Sequence, residues 1–230
     1  MESLLAIANA SAGSTDDASV ELALAILRKG YEVGVAITST PDELDEALAG
    51  HPDVDGVVVL GGDGSLHAVV AALRKADRLD GVIVGLIPLG TGNDFAAALG
   101  LPDDPALAAD LIGGEPEAID LIIDGSDHVV VNVAHIGIGA EAAIAAKPLK
   151  KFLGPLGYVA GALIASVKGI ATPGAKLTVT VDGYPLRPRG SVIQLAVGNG
   201  RFVGGGAALL PEADPSDGRL DLMVTYAGRR

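Results

Sequence analysis

Short aliphatic runs alternate with helix-period segments along the first half of the chain. "LLAIAN" (4–9) predicts a strand. "DDASVELALAILRKG" (16–30) predicts a helix, acidic where it starts, basic where it ends, and stopped by Gly30. "YEVGVAIT" (31–38) reads as a strand, and "TPDELDEALAG" (40–50) as a short helix with Pro41 in its first turn. "VDGVVVL" (54–60) is apolar enough to be a strand buried on both faces; "SLHAVVAALRKA" (65–76) follows as a helix and "GVIVGLIPL" (81–89) as a further strand. This β-α-β-α order predicts a parallel sheet with helices on both sides.

After about Ile119 the texture changes. "AIDLIIDG", "HVVVNVAHIG", "KLTVTVDG", "SVIQLAVGNG" and "RLDLMVTY" are strand-like and often end in Gly or Asp-Gly turns, with helical matter only around 140–169. The pattern predicts a second, mostly antiparallel part. Neither an internal repeat nor a low-complexity tail stands out.

The chain has 230 residues, 49% of them hydrophobic, so it can bury a substantial core. It has no cysteine, which excludes disulfides, thiolate metal sites and cysteine nucleophiles and fits a reducing, cytoplasmic setting. "MESLLAIANASAG" has no basic leader or long apolar core and does not read as a signal peptide, so the Asn9-Ala10-Ser11 sequon is taken as coincidence. The uncharged stretch Phe152–Val167, 16 residues with Pro155 inside it, is shorter than a bilayer span and reads as a buried or interfacial helix; a span needs roughly 20 residues. Net charge is −13, yet residues 141–190 carry seven basic side chains (Lys147, Lys150, Lys151, Lys168, Lys176, Arg187, Arg189) against Glu141 and Asp182. An acidic chain is a poor general binder of nucleic acid. The basic segment beside an apolar helix suits either an anionic lipid surface or an ordinary solvated edge.

Candidate chemistry concentrates at predicted strand ends. Gly61-Gly62-Asp63-Gly64-Ser65 closes the apolar strand and opens a helix. Glycines there let backbone N–H groups approach a phosphate, and a helix N-terminus adds free amides and a positive dipole end. The Asp63 carboxylate repels phosphate unless Mg2+ lies between, or unless it accepts a proton from an attacking hydroxyl. A capping Asp in a glycine-rich turn is the plainer alternative. "PLGTGNDFAAALGLP" (88–102) repeats the style with Gly90, Thr91, Gly92, Asn93 and Asp94, where Asn93 or Asp94 could merely cap the helix. Asn9, Ser11 and Gly13 follow the first strand. Three adjacent strand ends of this kind point to a nucleotide phosphate site, because open parallel sheets bind ligands at their carboxyl edge.

Other phosphate and metal motifs are absent: there is no Walker loop, no dinucleotide Gly-x-Gly-x-x-Gly and no His-Glu-x-x-His. The histidines (51, 67, 128, 135) lack ligand spacing; His67, just inside the helix after Asp63, either faces a ligand or sits on the helix surface. In "LLPEADPSDGRLDL" (209–222), Asp214, Asp217 and the Gly218 turn suit a hard cation, or an ordinary turn between strands.

Taken together, the motifs resemble the diacylglycerol kinase catalytic domain and its bacterial lipid kinase relatives, within the NAD kinase-like superfamily. "NASAG" resembles an Asn-Pro-x-Ser-Gly loop with Ala10 for Pro; "GGDGSLHAVV" resembles the GGDGT signature with Ser65 for Thr and His67 for Asn; "PLGTGNDFAAALGLP", "VNVAHIGIGAE", "VDGYPL" and "VGNGRFVGGGAALLPEADPSDGRLDLMV" follow in family order. The resemblance implies α/β plus β: an N-terminal Rossmann-like parallel α/β nucleotide-binding domain (1–118), then a mostly antiparallel β-sandwich domain (119–230) for a lipid substrate. It implies ATP held by Asn9, Ser11, Gly13, Thr38 (or Thr40), Gly61, Gly62, Asp63, Gly64, Ser65, His67, Gly90, Thr91, Asn93 and Asp94. Asp63 is the implied catalytic residue. Mg2+ is implied at the side chains of Asp214 and Asp217 and the carbonyl of Arg219. Gly204–Gly206 receive no role.

Bacterial relatives continue past the Asp-Gly-x-Leu-Asp motif to a carboxylate proposed as base, whereas this sequence stops at Arg230. The expectation is that the family's C-terminal segment is missing, so that the chain is a truncated piece, or Asp63 must serve as base, or the protein is not an active kinase. Three activities remain open: an ATP- and Mg2+-dependent kinase of diacylglycerol or another lipid at the inner membrane face, a nucleotide- or lipid-binding module without turnover, and a kinase of a dinucleotide.

Overall fold

The computed structural model of the chain describes residues 1–10, 17–137, 178–186 and 190–226. Ser11, Gly13, the helical segment expected around 140–169 and the seven basic residues of 141–190 lie outside the described residues.

Four parallel strands form one sheet in the order β2-β1-β3-β4: β1 (Ser3–Asn9), β2 (Glu32–Thr38), β3 (Gly56–Gly61) and β4 (Ile83–Pro88). Helices α1 (Asp17–Leu27), α2 (Pro41–Ala49), α3 (Asp63–Lys75), α4 (Asp94–Ala98) and α5 (Pro105–Asp110) link and cover the strands. Residue parity decides which face is packed, since successive side chains of a strand point to opposite faces. Leu5, Ile7, Val57 and Val59 meet Leu44 and Leu48 of α2, Leu66, Val69 and Leu73 of α3, and Phe95 of α4. Leu4, Ala6, Ala8, Val58 and Leu60 meet Leu24 and Leu27 of α1 and Ala108 and Ala109 of α5. The central strands therefore have no polar face, which is why their sequence runs apolar without alternation.

The Asp55 carboxylate pins the entrance of β3 to that of β1, accepting the N–H groups of Glu2 (2.6 Å) and Ser3 (2.9 Å). Those two bonds hold its pKa below the ordinary value. At the end of α2, the Arg78 guanidinium donates to the carbonyls of Leu48 (2.7 Å), His51 (3.0 Å) and Pro52 (3.1 Å). A cation just beyond a helix C-terminus adds a donor to the carbonyls there and is favoured by the dipole. Arg78→Ala is expected to destabilise the protein by about 1–3 kcal/mol in a denaturant titration. Lys75→Ala, which removes only the exposed contact with Asp45, is expected to leave the midpoint where it is.

One boundary and one element differ from expectation. Asp63 and Gly64 belong to the first turn of α3 rather than to a loop ahead of it, because Gly62 is extended (φ −101°, ψ −166°) and delivers the chain straight into the helix. Helix α5 was not anticipated; the Asp104 side chain caps it, accepting from Ala106 and Leu107, with Pro105 in its first turn.

The remainder is antiparallel. Strands β7 (Val133–Gly137), β10 (Val192–Gly198) and β13 (Asp221–Tyr226) form a sheet in the order β13-β10-β7. Three two-stranded ladders accompany it: β5 (Ile122–Ile123) with β6 (Val129–Val130), β8 (Val179–Val181) with β9 (Tyr184–Leu186), and β11 (Phe202–Val203) with β12 (Ala207–Ala208). The run "HVVVNVAHIG" breaks in two at Asn132. Its carbonyl accepts from Asn199 (2.8 Å) and Gly200 (3.3 Å), and its side chain donates to the Phe202 carbonyl (3.0 Å), so it serves the neighbouring loop rather than a ladder. An α/β part followed by a β part is the architecture the sequence predicts. None of the helices among the described residues is long and apolar enough to cross a membrane.

Candidate functional site

Strand register gathers the predicted loops at one edge. Asn9 pairs with Thr38, Ala8 with Leu60, and Gly61 with Pro88, so the carboxyl ends of all four strands lie side by side. The loops after β3 and β4 then touch backbone to backbone. A Cβ on Gly62 would stand 2.9 Å from the Gly90 Cα, and one on Gly90 only 2.5 Å from the Gly62 Cα. Glycine at both positions is a packing requirement.

Within the second loop, Asn93 has a left-handed backbone (φ 51°, ψ 36°), and its side chain closes on Gly90, accepting from the N–H at 3.0 Å and donating to the carbonyl at 3.0 Å. Neither Asn93 nor Asp94 caps α4. The cap comes from Asp63, 31 and 32 positions upstream: its Oδ2 accepts the N–H of Asp94 (3.0 Å) and its Oδ1 that of Phe95 (2.8 Å). One carboxylate thus sits in the first turn of α3 and over the N-terminus of α4, where both dipoles favour negative charge. Each of its oxygens keeps a further lone pair. The N-terminus of α3 has no side-chain cap, which suits an anion.

Thr38, at the end of β2, is buried. Thr40 instead caps α2 in a reciprocal box with Glu43. Thr91 is half-buried in the second loop and His67 is exposed on α3. Asp94 is only 6% exposed, and its carboxylate accepts from Gly205 and Gly206 in the β part.

The acidic loop near the C-terminus is built from local turns. Asp214 Oδ1 accepts from the Ser216 N–H (3.0 Å) and hydroxyl (2.9 Å), and Asp217 Oδ1 from the Arg219 N–H (2.9 Å). The Ser216 bonds, with a smaller contribution from the Arg201 charge, hold the Asp214 carboxyl below its usual range. In both residues Oδ2 takes no part in these turns. Carboxylate and carbonyl oxygens of this kind are the hard donors that Mg2+ prefers. Among the described residues no cluster of three or more His, Asp or Glu side chains is arranged for a metal.

Asp120 escaped the sequence reading. Its Oδ2 accepts from Gly218 (2.6 Å), its N–H donates to the Pro215 carbonyl (2.8 Å), and its own carbonyl accepts from the Asn199 side chain (2.5 Å). It ties the acidic loop to the segment entering the β part. An aspartate interrupting the apolar run "AIDLII" was the available signal.

Fold and site together define a class: a parallel α/β unit with a paired glycine-loop cradle at its carboxyl edge, joined to an antiparallel β unit. Family models agree. Residues 3–123 match the "Diacylglycerol kinase catalytic domain" and residues 132–230 the "YegS C-terminal NAD kinase beta sandwich-like domain". A protein named probable lipid kinase YegS-like from Stenotrophomonas maltophilia is 37% identical over 207 residues, covering 85% of this chain and 65% of its own length. Its namesake from Xanthomonas euvesicatoria is 37% identical over 224 residues, covering 92% of this chain and 70% of its own. The crystal structure of a diacylglycerol kinase from Bacillus anthracis superposes with a TM-score of 0.76 at 26% identity, covering 98% of this chain and 74% of that one. The chain belongs to the diacylglycerol kinase catalytic-domain family, a family of kinases, and spans about two thirds to three quarters of the length of these relatives.

Proposed function

We propose that this chain forms the nucleotide cradle and acceptor side of an ATP- and Mg2+-dependent kinase. It moves the γ-phosphoryl of ATP to a lipid hydroxyl, that of diacylglycerol or a related lipid, at the inner face of a membrane. The observation that carries this reading is the backbone contact of Gly62 with Gly90 at the carboxyl edge of the sheet, locked by Asp63 across both loops.

Phosphoryl transfer depends mainly on positioning and on neutralising charge. Backbone amides of Gly61–Ser65 and Gly90–Asn93 cradle the phosphates, and Asn9, Thr38, His67 and Thr91 add side chains to the nucleotide site; Ser11 and Gly13 are assigned to the nucleotide from the sequence motif alone. Asp94 belongs to the same loop. Asp63 uses its remaining lone pairs toward the acceptor hydroxyl, taking its proton as the oxygen attacks phosphorus. Asp214, Asp217 and the Arg219 carbonyl hold a structural Mg2+. Magnesium bound with ATP offsets the charge of the phosphate oxygens.

Radiolabelled ATP and mixed vesicles containing diacylglycerol test the reading. Label is expected in the organic phase, with Mg2+ required; label passing instead to added NAD would mark a dinucleotide kinase. A second reading, a nucleotide- or lipid-binding module without turnover, draws on the amide bonds already made by both Asp63 oxygens. Calorimetric binding of Mg-ATP with no labelled product would select it.

A further inference from the structure

The turn Gly204–Gly206, between β11 and β12, has no role in the site as described so far. All three residues take left-handed backbones, with φ of 69°, 90° and 103°. Open space surrounds the Cβ positions of Gly205 and Gly206, so backbone conformation rather than crowding requires glycine there. The consequence is that two successive N–H groups converge on one anion. That anion is the Asp94 carboxylate: Gly205 N–H lies 3.0 Å from both of its oxygens, and Gly206 N–H 2.7 Å from Oδ1.

Asp94 is buried, and charge-assisted bonds to amides in such a setting are strong. The same residue offers its backbone N–H to Asp63. A continuous chain of contacts follows: first turn of α3, Asp63 carboxylate, backbone of Asp94, Asp94 carboxylate, Gly205 and Gly206. Helix α4, which carries Asp94, has five residues and is too short to hold its own position. It is held from both sides by carboxylates. Phe95 adds a packing contact across the same joint, its ring lying 3.3 Å from where a Cβ on Gly200 would stand.

We infer that Asp94 is a positioning residue, a latch that fastens the Gly204–Gly206 turn of the β part to the second nucleotide loop. Resting on the kinase reading, the latch makes the placement of the acceptor side follow the state of the phosphate cradle. Asp94 acts through the turn rather than on the transferred phosphoryl group.

Hydrogen–deuterium exchange on the full chain tests this, with wild type, Asp94→Asn and Asp94→Glu compared with and without a non-hydrolysable ATP analogue and Mg2+. The isosteric Asn keeps the shape but loses the charge and turns an amide donor toward the Gly205 N–H. The expected result without nucleotide is exchange at Gly205 and Gly206 accelerated by about tenfold or more in Asp94→Asn, with β1 and β3 as protected as in wild type. Asp94→Glu, which retains the carboxylate, should recover part of the protection. In wild type, nucleotide should slow exchange in 202–208, and Asp94→Asn should lose that response. In lipid phosphorylation, the loss in Asp94→Asn should fall on kcat more than on KM for ATP.

Unchanged exchange of the turn in Asp94→Asn, with the rest of the chain folded, overturns the latch. So does a nucleotide response that survives the substitution. Should Asp94→Asn lose protection throughout, Asp94→Glu decides: wild-type exchange with a displaced carboxylate counts against the latch, and faster exchange confined to the turn supports it. A wild-type chain that binds no nucleotide removes the kinase reading alone, and the nucleotide-free comparison still judges the contact.

Discussion

Asp63→Asn is expected to lower the turnover of lipid phosphorylation by about a hundredfold or more, with the chain still folded. The magnitude follows from the two bonds its carboxylate makes. Oδ1 and Oδ2 each accept a backbone N–H from the first residues of α4. An asparagine satisfies one and presents its NH2 to the other, so an acceptor becomes a donor facing a donor. Hydrogen bonds to a charged group contribute about 1.5–3 kcal/mol each, and about 1.4 kcal/mol is tenfold in rate. One lost bond, with any part Asp63 plays toward the acceptor hydroxyl, accounts for the factor. Steady-state kinetics beside calorimetric ATP affinity checks it. Turnover near that of wild type would remove Asp63 from both positioning and chemistry.

Gly90→Ala is expected to have the second largest effect, by a purely steric route. Its new methyl carbon would stand 2.5 Å from the Gly62 Cα and 2.7 Å from the Asn93 Oδ1. Backbone cannot rotate away as a side-chain tip can, so the loops after β3 and β4 must separate. Overpacking of this kind costs about 1–3 kcal/mol, and here the strain falls on the cradle itself. Both the denaturation midpoint and the affinity for Mg-ATP should drop. Gly64→Ala is the contrast. A Cβ there meets nothing within 4 Å and the residue is helical, so stability should rise by up to about 1 kcal/mol. Equal stability losses in the two variants would sink the account of the loop contact.

How much of this was legible in the sequence depended on whether the cause was local. The parallel sheet was, because β1 and β3 are buried on both faces and read as unbroken apolar runs. The glycine loops were, because close backbone approach leaves few other choices of residue. Caps and latches were not. Asp63 serves a helix that begins 31 positions later, and Asp94 serves a turn 111 positions away. Nothing in the spacing "GNDF" tells that Asn93 folds back on Gly90 and leaves its helix to another carboxylate. Helix α5 was missed although Asp104-Pro105 is a good start signal, because six residues are too few to show a period. The break at Asn132 arises from a partner loop some seventy residues on.

One small feature has reach out of proportion to its place. Val57 to Leu60 is apolar on both faces, so sliding β3 by a single position would exchange its two cores at little cost in burial; oil alone does not choose where this strand stops. Asp55, gripping the first amides of β1, does. It acts as a datum at the far end of the molecule from which the chain is measured out, and the carboxylate eight residues later lands over α4 because the count began there.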